Sequence, residues 1–232
     1  PEEASEVDEG DSLLDALARK GLQHEAAQLE AFRREGKSVV EIANVNVKEP
    51  DSQLKAQQAL RKAMAKGVDV IFQAMLEQPP FRGLADFLVK VPGRSDLGDY
   101  HYEVWDTKLS SSVKPAHVVQ LCCYADMLQS LQGRRPEFVV VALGNGSFSR
   151  LRTDDYFYYY RALKAGFLTI QQQFDPENVP DPADYADHGR WSEHAQRLLG
   201  QSDYLGSVAT MTRSQIKRLN NAGVMTRQQL ID

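Results

Sequence analysis

Between residues 68 and 143 four apolar, β-prone runs follow one another, with one helix set among them. The runs 68–74, 81–91 and 100–109 carry the strand residues, and 92–99 reads as a turn, so these three form a β-meander. Pro115 opens a helix that reaches Gln132, with the proline in the first turn. Residues 137–143 then read as a buried strand that ends at Gly144. Strands of this kind must bury their faces under helices. The expected fold is therefore α/β, a mixed central sheet flanked by helices.

The flanking elements are legible too. A helix is expected over 13–34, with Leu14, Leu22, Ala26, Leu29 and Phe32 at helical spacing, Asp11 or Ser12 as its cap, and Gly36 as its stop. Residues 38–42 read as a short strand. A polar, Lys-rich helix covers 51–66 and ends at Gly67. Another helix spans 154–173. Residues 175–189 hold three prolines and five acids and read as a linker. Short helical segments follow, and Gly223 divides the last helical pattern, 213–230. The expected organisation is a core over 1–174, the linker 175–189, and a small helical tail over 190–232.

Composition excludes several classes. Of 232 residues, 42% are hydrophobic and 25% charged, as in an ordinary globular chain, so a disulfide scaffold or a disordered tail is ruled out. No apolar run approaches the roughly 20 residues of a membrane helix, and the acidic start (six acids and no base over 1–11) is no secretory signal. The two cysteines, Cys122 and Cys123, are adjacent and poorly placed for a structural disulfide. A reducing, cytoplasmic setting is expected. The chain opens at Pro1 rather than Met and ends within a helical pattern, as a piece of a longer protein would. A net charge of −5 does not advertise nucleic acid, but a local groove matters more than the total.

The chemistry concentrates on two neighbouring strands. Asp106 and Lys108 alternate onto one face of the run 100–109. Asp86 interrupts the apolar run 83–89, where a buried acid needs a partner. If the two strands are hairpin neighbours, Asp86 and Asp106 converge, and two converging carboxylates call for a cation between them. Oxygen ligands suit Mg²⁺ or Mn²⁺, and such an ion activates water for phosphodiester hydrolysis, with a nearby lysine as helper. Gln120 and Tyr124 stand four apart on one face of the next helix.

This order, Asp86, then Asp106-x-Lys108, then Gln120-x-x-x-Tyr124, resembles the PD-(D/E)XK nuclease core and, within it, the RecB/AddB-like branch often linked to a helicase module. His24, in Gly21-Leu22-Gln23-His24-Glu25, resembles that branch's helical histidine. The resemblance implies a restriction-endonuclease-like core and a metal-dependent deoxyribonuclease. Its metal would be Mg²⁺ or Mn²⁺, held by His24, Asp86, Asp106 and the Thr107 carbonyl. Lys108 would be the catalytic lysine, with Gln120 and Tyr124 positioning substrate or lysine. It implies DNA, single-stranded or at duplex ends, as partner, a helicase domain as a possible second, and no membrane.

One family feature is missing. Many members carry an iron–sulfur cluster with three cysteines in C-x₂-C-x₅-C spacing after the core. Ala186, Gly189 and Ala195 stand at that spacing without sulfur, so no cluster is expected. The tail resembles half of a helix–hairpin–helix, with Arg213, Lys217, Arg218 and Arg227 around Gly223. The aromatic run Tyr156-Phe157-Tyr158-Tyr159-Tyr160 reads as core packing before it reads as a base-stacking platform. The competing functional reading is a catalytically degenerate nuclease-fold module that binds nucleic acid or docks a helicase.

Overall fold

The computed structural model describes residues 12–42, 49–177, 181–185 and 187–231. Two compact units emerge, one over Leu13–Gln171 and one over the chain from Gln172 onward. The expected acidic lead-in and the Asp11 cap lie outside the described residues.

The larger unit runs α1 (Ser12–Arg34), β1 (Val39–Glu41), α2 (Pro50–Ala65), β2 (Val70–Gln78), β3 (Phe81–Ser95), β4 (Gly98–Lys108), α3 (Pro115–Gln132), β5 (Phe138–Leu143), β6 (Phe148–Arg152) and α4 (Asp154–Gln172). The six strands form one sheet in sequence order. β1 and β2 are parallel, β2, β3 and β4 form an antiparallel meander, β4 and β5 are parallel, and β5 and β6 are antiparallel. The sheet is thus mixed, as expected. Both parallel joints are made by crossover helices, α2 and α3.

Helices cover both faces of the sheet. On one face, Leu60 and Met64 of α2 and Leu121 and Leu128 of α3 pack on Ile71, Leu88, Tyr102, Val104 and Val139. On the other, Leu29 and Phe32 of α1 pack on Val70, Phe87 and Val89. Phe157 and Tyr160 of α4 close against Val118 and Cys122 of α3. Cys122 is buried as a small apolar residue, and both cysteines are free. Burial of each large apolar side chain is worth about 1.5–3 kcal/mol.

The helix ends follow the punctuation in the sequence. Pro50 and Pro115 occupy first turns, and Gly67 and Gly133, with φ of 65° and 66°, take the left-handed turn after α2 and α3. Tyr100 Oη donates to the Met64 carbonyl at 2.8 Å, satisfying one of the open acceptors at the end of α2.

Two local expectations are refined. The turn expected over 92–99 narrows to Asp96 and Leu97: β3 continues to Ser95 and β4 begins at Gly98, with a register shift between Pro92 and Ser95. Proline without an amide and Gly93 at φ 134° mimic a turn in sequence while the chain stays extended through a bulge. β6 was not expected at all. It is an edge strand whose Arg150 stacks 3.6 Å from the Phe138 ring centroid and pairs with buried Glu103. Its charges conceal a strand that needs them to protect an edge.

In the second unit, two short 3-10 turns, Pro182–Asp184 and Gly189–Trp191, precede α5 (Ser192–Gln201), α6 (Arg213–Asn221) and α7 (Arg227–Ile231). Gly223 lies between α6 and α7 at φ 86°. Thr212 caps α6, and Asp203 holds the start of α7 by accepting from Gln228 N at 2.9 Å. Ala186 lies outside the described residues, and Ala195 is buried in α5. Among the described residues no helix is long and apolar enough to cross a membrane.

Candidate metal and cleavage site

The site is built where the central sheet comes apart. The β3–β4 ladder runs down to Phe87 opposite Trp105 and stops. One step further, in the same antiparallel register, Asp86 stands opposite Asp106. The Asp86 carboxylate replaces the missing main-chain partner: its Oδ2 accepts from Thr107 N at 2.8 Å and from Thr107 Oγ1 at 2.8 Å. On the other side of β3 the ladder is interrupted at the same level. Phe72 pairs with Phe87 and Ala74 with Ala85, but Gln73, at φ 55°, is skipped. A non-glycine residue in the left-handed region costs on the order of 1 kcal/mol, and such strain concentrates at functional positions. Asp86 therefore sits at a break in both of its ladders.

Alternation along β4 sets which side the site faces. Tyr102 and Val104 enter the core beneath α2 and α3, so Asp106 and Lys108 continue on that face. Asp106 is 1% exposed, and Lys108 Nζ lies 2.5 Å from its Oδ2. The contact is an ion pair without the direction of a good hydrogen bond. Burial, followed by the Asp86 charge, pushes the Asp106 carboxyl up to about 6, against the pull of Lys108.

A third carboxylate, Glu25 of α1, joins from the opposite helix layer. It is largely buried, and Gln73 Nε2 donates to its Oε1. Burial, then the Asp86 charge, and more weakly that of Asp106, raise its carboxyl to about 7, while Gln73 and Lys108 oppose the rise. Glu25, Asp86 and Asp106 thus share one electrostatic field in which Lys108 is the balancing cation. Glu25 was missed in the sequence, where its neighbour His24 drew attention. The signal was present: Glu25, Leu29 and Phe32 fall at i, i+4 and i+7, placing an acid on the buried stripe of α1.

His24 Nε2 lies 3.1 Å from the Ala142 carbonyl on β5, a partner that requires an N–H, so this nitrogen donates, and a bond of this kind orients an imidazole whose Nδ1 is the nitrogen that could bind a metal. Ala142 is paired with Thr107, so His24 fastens α1 to the strand beside the site.

Gln120 and Tyr124 come together as expected. Gln120 Nε2 donates to Tyr124 Oη at 3.2 Å, and Tyr124 Oη donates to the Leu84 carbonyl at 3.0 Å. A Cβ on Gly83 would stand 2.7 Å from Tyr124 Cε1, so the missing side chain at Gly83 lets the ring reach β3. The pair pins α3 to β3 two residues before Asp86. At the start of α3, His117 Nδ1 accepts from Lys114 N at 3.2 Å. Burial, then the charges of Lys108 and Lys114, hold the His117 imidazole below its usual range.

Among the described residues, no three His, Cys, Asp or Glu side chains stand close enough to enclose a metal ion. The donor chemistry nonetheless fits a hard divalent cation: the groups are carboxylates, the Asp86 charge raises the Asp106 and Glu25 carboxyls, and the buried Asp106 Oδ2 has no hydrogen-bond donor. Glu25, Asp86 and Asp106 offer oxygen donors, and the bond from His24 Nε2 to the Ala142 carbonyl does not engage its Nδ1. No family model matches the chain, and no curated protein matches it.

Proposed function

We propose that the chain is a metal-dependent nuclease that hydrolyses DNA phosphodiester bonds, a RecB-like member of the PD-(D/E)XK group acting in the cytoplasm. The observation that carries this reading is the pair of carboxylates, Asp86 and Asp106, facing each other at the fork of β3 and β4 with Lys108 Nζ 2.5 Å from Asp106. Asp86, Asp106 and Glu25 would hold Mg²⁺ or Mn²⁺, with the Thr107 carbonyl beside them. The bound ion supplies an activated water and a counter-charge for the phosphate. Lys108, beside the Asp106 carboxylate, would orient the attacking water and stabilise the charge developing on the phosphate. Gln120 and Tyr124 hold β3 at the position that keeps Asp86 aimed. The resemblance adds a helicase module as partner.

The Lys108–Asp106 contact favours a second reading, in which the ammonium permanently takes the place of the ion and the chain is a binding or docking module. End-labelled linear DNA and closed circular DNA, incubated with Mn²⁺, Mg²⁺ or EDTA, separate the two. Metal-dependent cutting supports the nuclease; DNA binding without cutting under any metal supports the docking module.

A further inference from the structure

Helix α4 buries one stripe and leaves a second apolar one open. Phe157 and Tyr160 close against α3. A surface helix ordinarily sets charged and polar residues on its remaining faces. Here Tyr156, Tyr159, Leu163, Phe167 and Ile170 are 38%, 62%, 42%, 48% and 66% exposed. They fall at i, i+3, i+7, i+11 and i+14, so they form one flank along the helix. Charge is nearly absent from this stretch. Between Tyr156 and Ile170 the charged residues are Arg161 and Lys164. Lys164 is spent inward, its Nζ 2.6 Å from Asp126 Oδ2. Arg161 stands two positions from both Tyr159 and Leu163, off their side of the helix.

Gly166 lies beside the flank, three residues after Leu163 and four before Ile170. Glycine in a helix interior weakens the helix relative to alanine. Its backbone does not require it, since its φ is not in the left-handed region, and a Cβ built there would meet nothing within 4 Å. Neither the chain's path nor its internal packing calls for a glycine at this position. A side chain arriving from outside would. Ala162, one turn earlier, is likewise small and exposed.

Ridge and hollow on the same helix make the face self-complementary. Two copies of α4 laid antiparallel, with a twofold axis passing midway between Lys164 and Ala165, set Leu163 over the partner's Gly166. The same register sets Phe167 over the partner's Ala162 and Tyr159 beside the partner's Ile170. Such a contact is isologous and closes at two copies. The five flank side chains expose on the order of 500 Å². Two such faces joined bury on the order of 1,000 Å², the least that a specific interface needs. Charge favours the same occupant. Copies of a chain with net charge −5 repel one another except where charge is absent, and this flank offers a charged partner nothing to pair with.

We propose that the chain self-associates through α4 as an antiparallel twofold pair, with Leu163 seated on the partner's Gly166. The inference is independent of the nuclease reading.

Sedimentation equilibrium of the whole chain, from about 1 to about 200 µM, tests it. Wild type is expected to pass from one to two chain masses, with a Kd of about 10 µM. Leu163→Lys is expected to weaken the pair by at least about tenfold. Tyr158→Lys places the same charge at an 85% exposed position of the same helix, off the flank, and is expected to leave the pair intact. Gly166→Leu separates a fitted contact from a merely apolar one: it adds apolar surface, yet is expected to weaken the pair about tenfold because it fills the hollow. The three positions are exposed, so the core is untouched, and circular dichroism checks that each variant is folded. A wild type that stays monomeric over the whole range, whether its flank is bare or taken by another protein, would overturn the proposal. So would assembly beyond two copies, association that survives Leu163→Lys, its loss in Tyr158→Lys, or its strengthening in Gly166→Leu.

Discussion

Asp86 faces Asp106 one position past the last paired residues of β3 and β4, and its carboxylate holds the Thr107 amide at 2.8 Å in place of a main-chain carbonyl. The fork keeps two acids side by side while giving one of them fixed donors. The other, Asp106, is left buried with Lys108 as its counter-charge. A third acid, Glu25, enters the same field from the opposite layer of helices.

Stability should fall as the pH rises. The Asp106 and Glu25 carboxyls are raised to about 6 and about 7, from 3.8 and 4.5, so the folded state keeps protons that the unfolded chain has released. Their contribution is complete below the lower pair of values and is lost as the pH climbs through 6 and 7. Asp106→Asn should therefore raise Tm at pH 8 and have little effect at pH 4. The gain is on the order of 1–3 kcal/mol, or roughly 2–4 °C per kcal/mol. For the same reason Mn²⁺ should raise the wild-type Tm more at pH 8 than at pH 5.5, since protons compete for the same oxygens. Thermal scans of both proteins across pH check each sign.

Glu25 should contribute to metal affinity from α1. Glu25→Gln is expected to weaken Mn²⁺ binding by about 10–100-fold in calorimetry. His24→Phe should lower stability by about 1–3 kcal/mol, through loss of the bond to the Ala142 carbonyl. Unchanged Mn²⁺ affinity in Glu25→Gln would remove Glu25 from the metal site.

Gly83 should tolerate no side chain while Tyr124 is present. Gly83→Ala places a methyl 2.7 Å from the ring and is expected to cost about 1–3 kcal/mol. Chemical denaturation of Gly83→Ala, Tyr124→Leu and the double variant measures the coupling. The double variant should be less destabilised than the sum of the two single changes.

Most of the fold was legible because its signals are local. Pro115, Gly67 and Gly133 punctuate helices, and the runs 68–74, 81–91 and 100–109 carry the β-prone residues of β2, β3 and β4. What escaped was set by partners distant in sequence. β6 exists because β5 offers an edge, and Arg150 becomes a strand residue by stacking on Phe138. The extended stretch around Gly93 is held by ladder pairing that its composition denies. At the candidate site, the spacing on strand and helix singled out Asp86, Asp106, Lys108, Gln120 and Tyr124, and the structure brings Asp86 opposite Asp106, Lys108 to Asp106 and Gln120 to Tyr124. Glu25 was hidden behind His24, since only the packing of α1 reveals which of two adjacent residues turns inward. Gln73 carried no sequence signal: a glutamine inside a β-rich run announces neither its left-handed φ of 55° nor its bond to Glu25.

Lys108 should matter to the reaction more than to the metal. Lys108→Met is expected to lower the cleavage rate by about 10²–10³ while Mn²⁺ affinity holds or rises, because the competing ammonium is gone. Parallel single-turnover cleavage and calorimetry separate the two effects.

The most direct measurement is the cleavage rate of end-labelled single-stranded DNA in Mn²⁺ by wild type and by Asp106→Asn, a change that keeps the size of the buried side chain and removes its charge. Wild type is predicted to cut in Mn²⁺ and not in EDTA, and Asp106→Asn, folded by thermal scan, to lose at least about 10²-fold in rate. Cutting by the variant at the wild-type rate, or no Mn²⁺-dependent cutting by a folded wild type, would contradict a metal-dependent cleavage site at the β3–β4 fork.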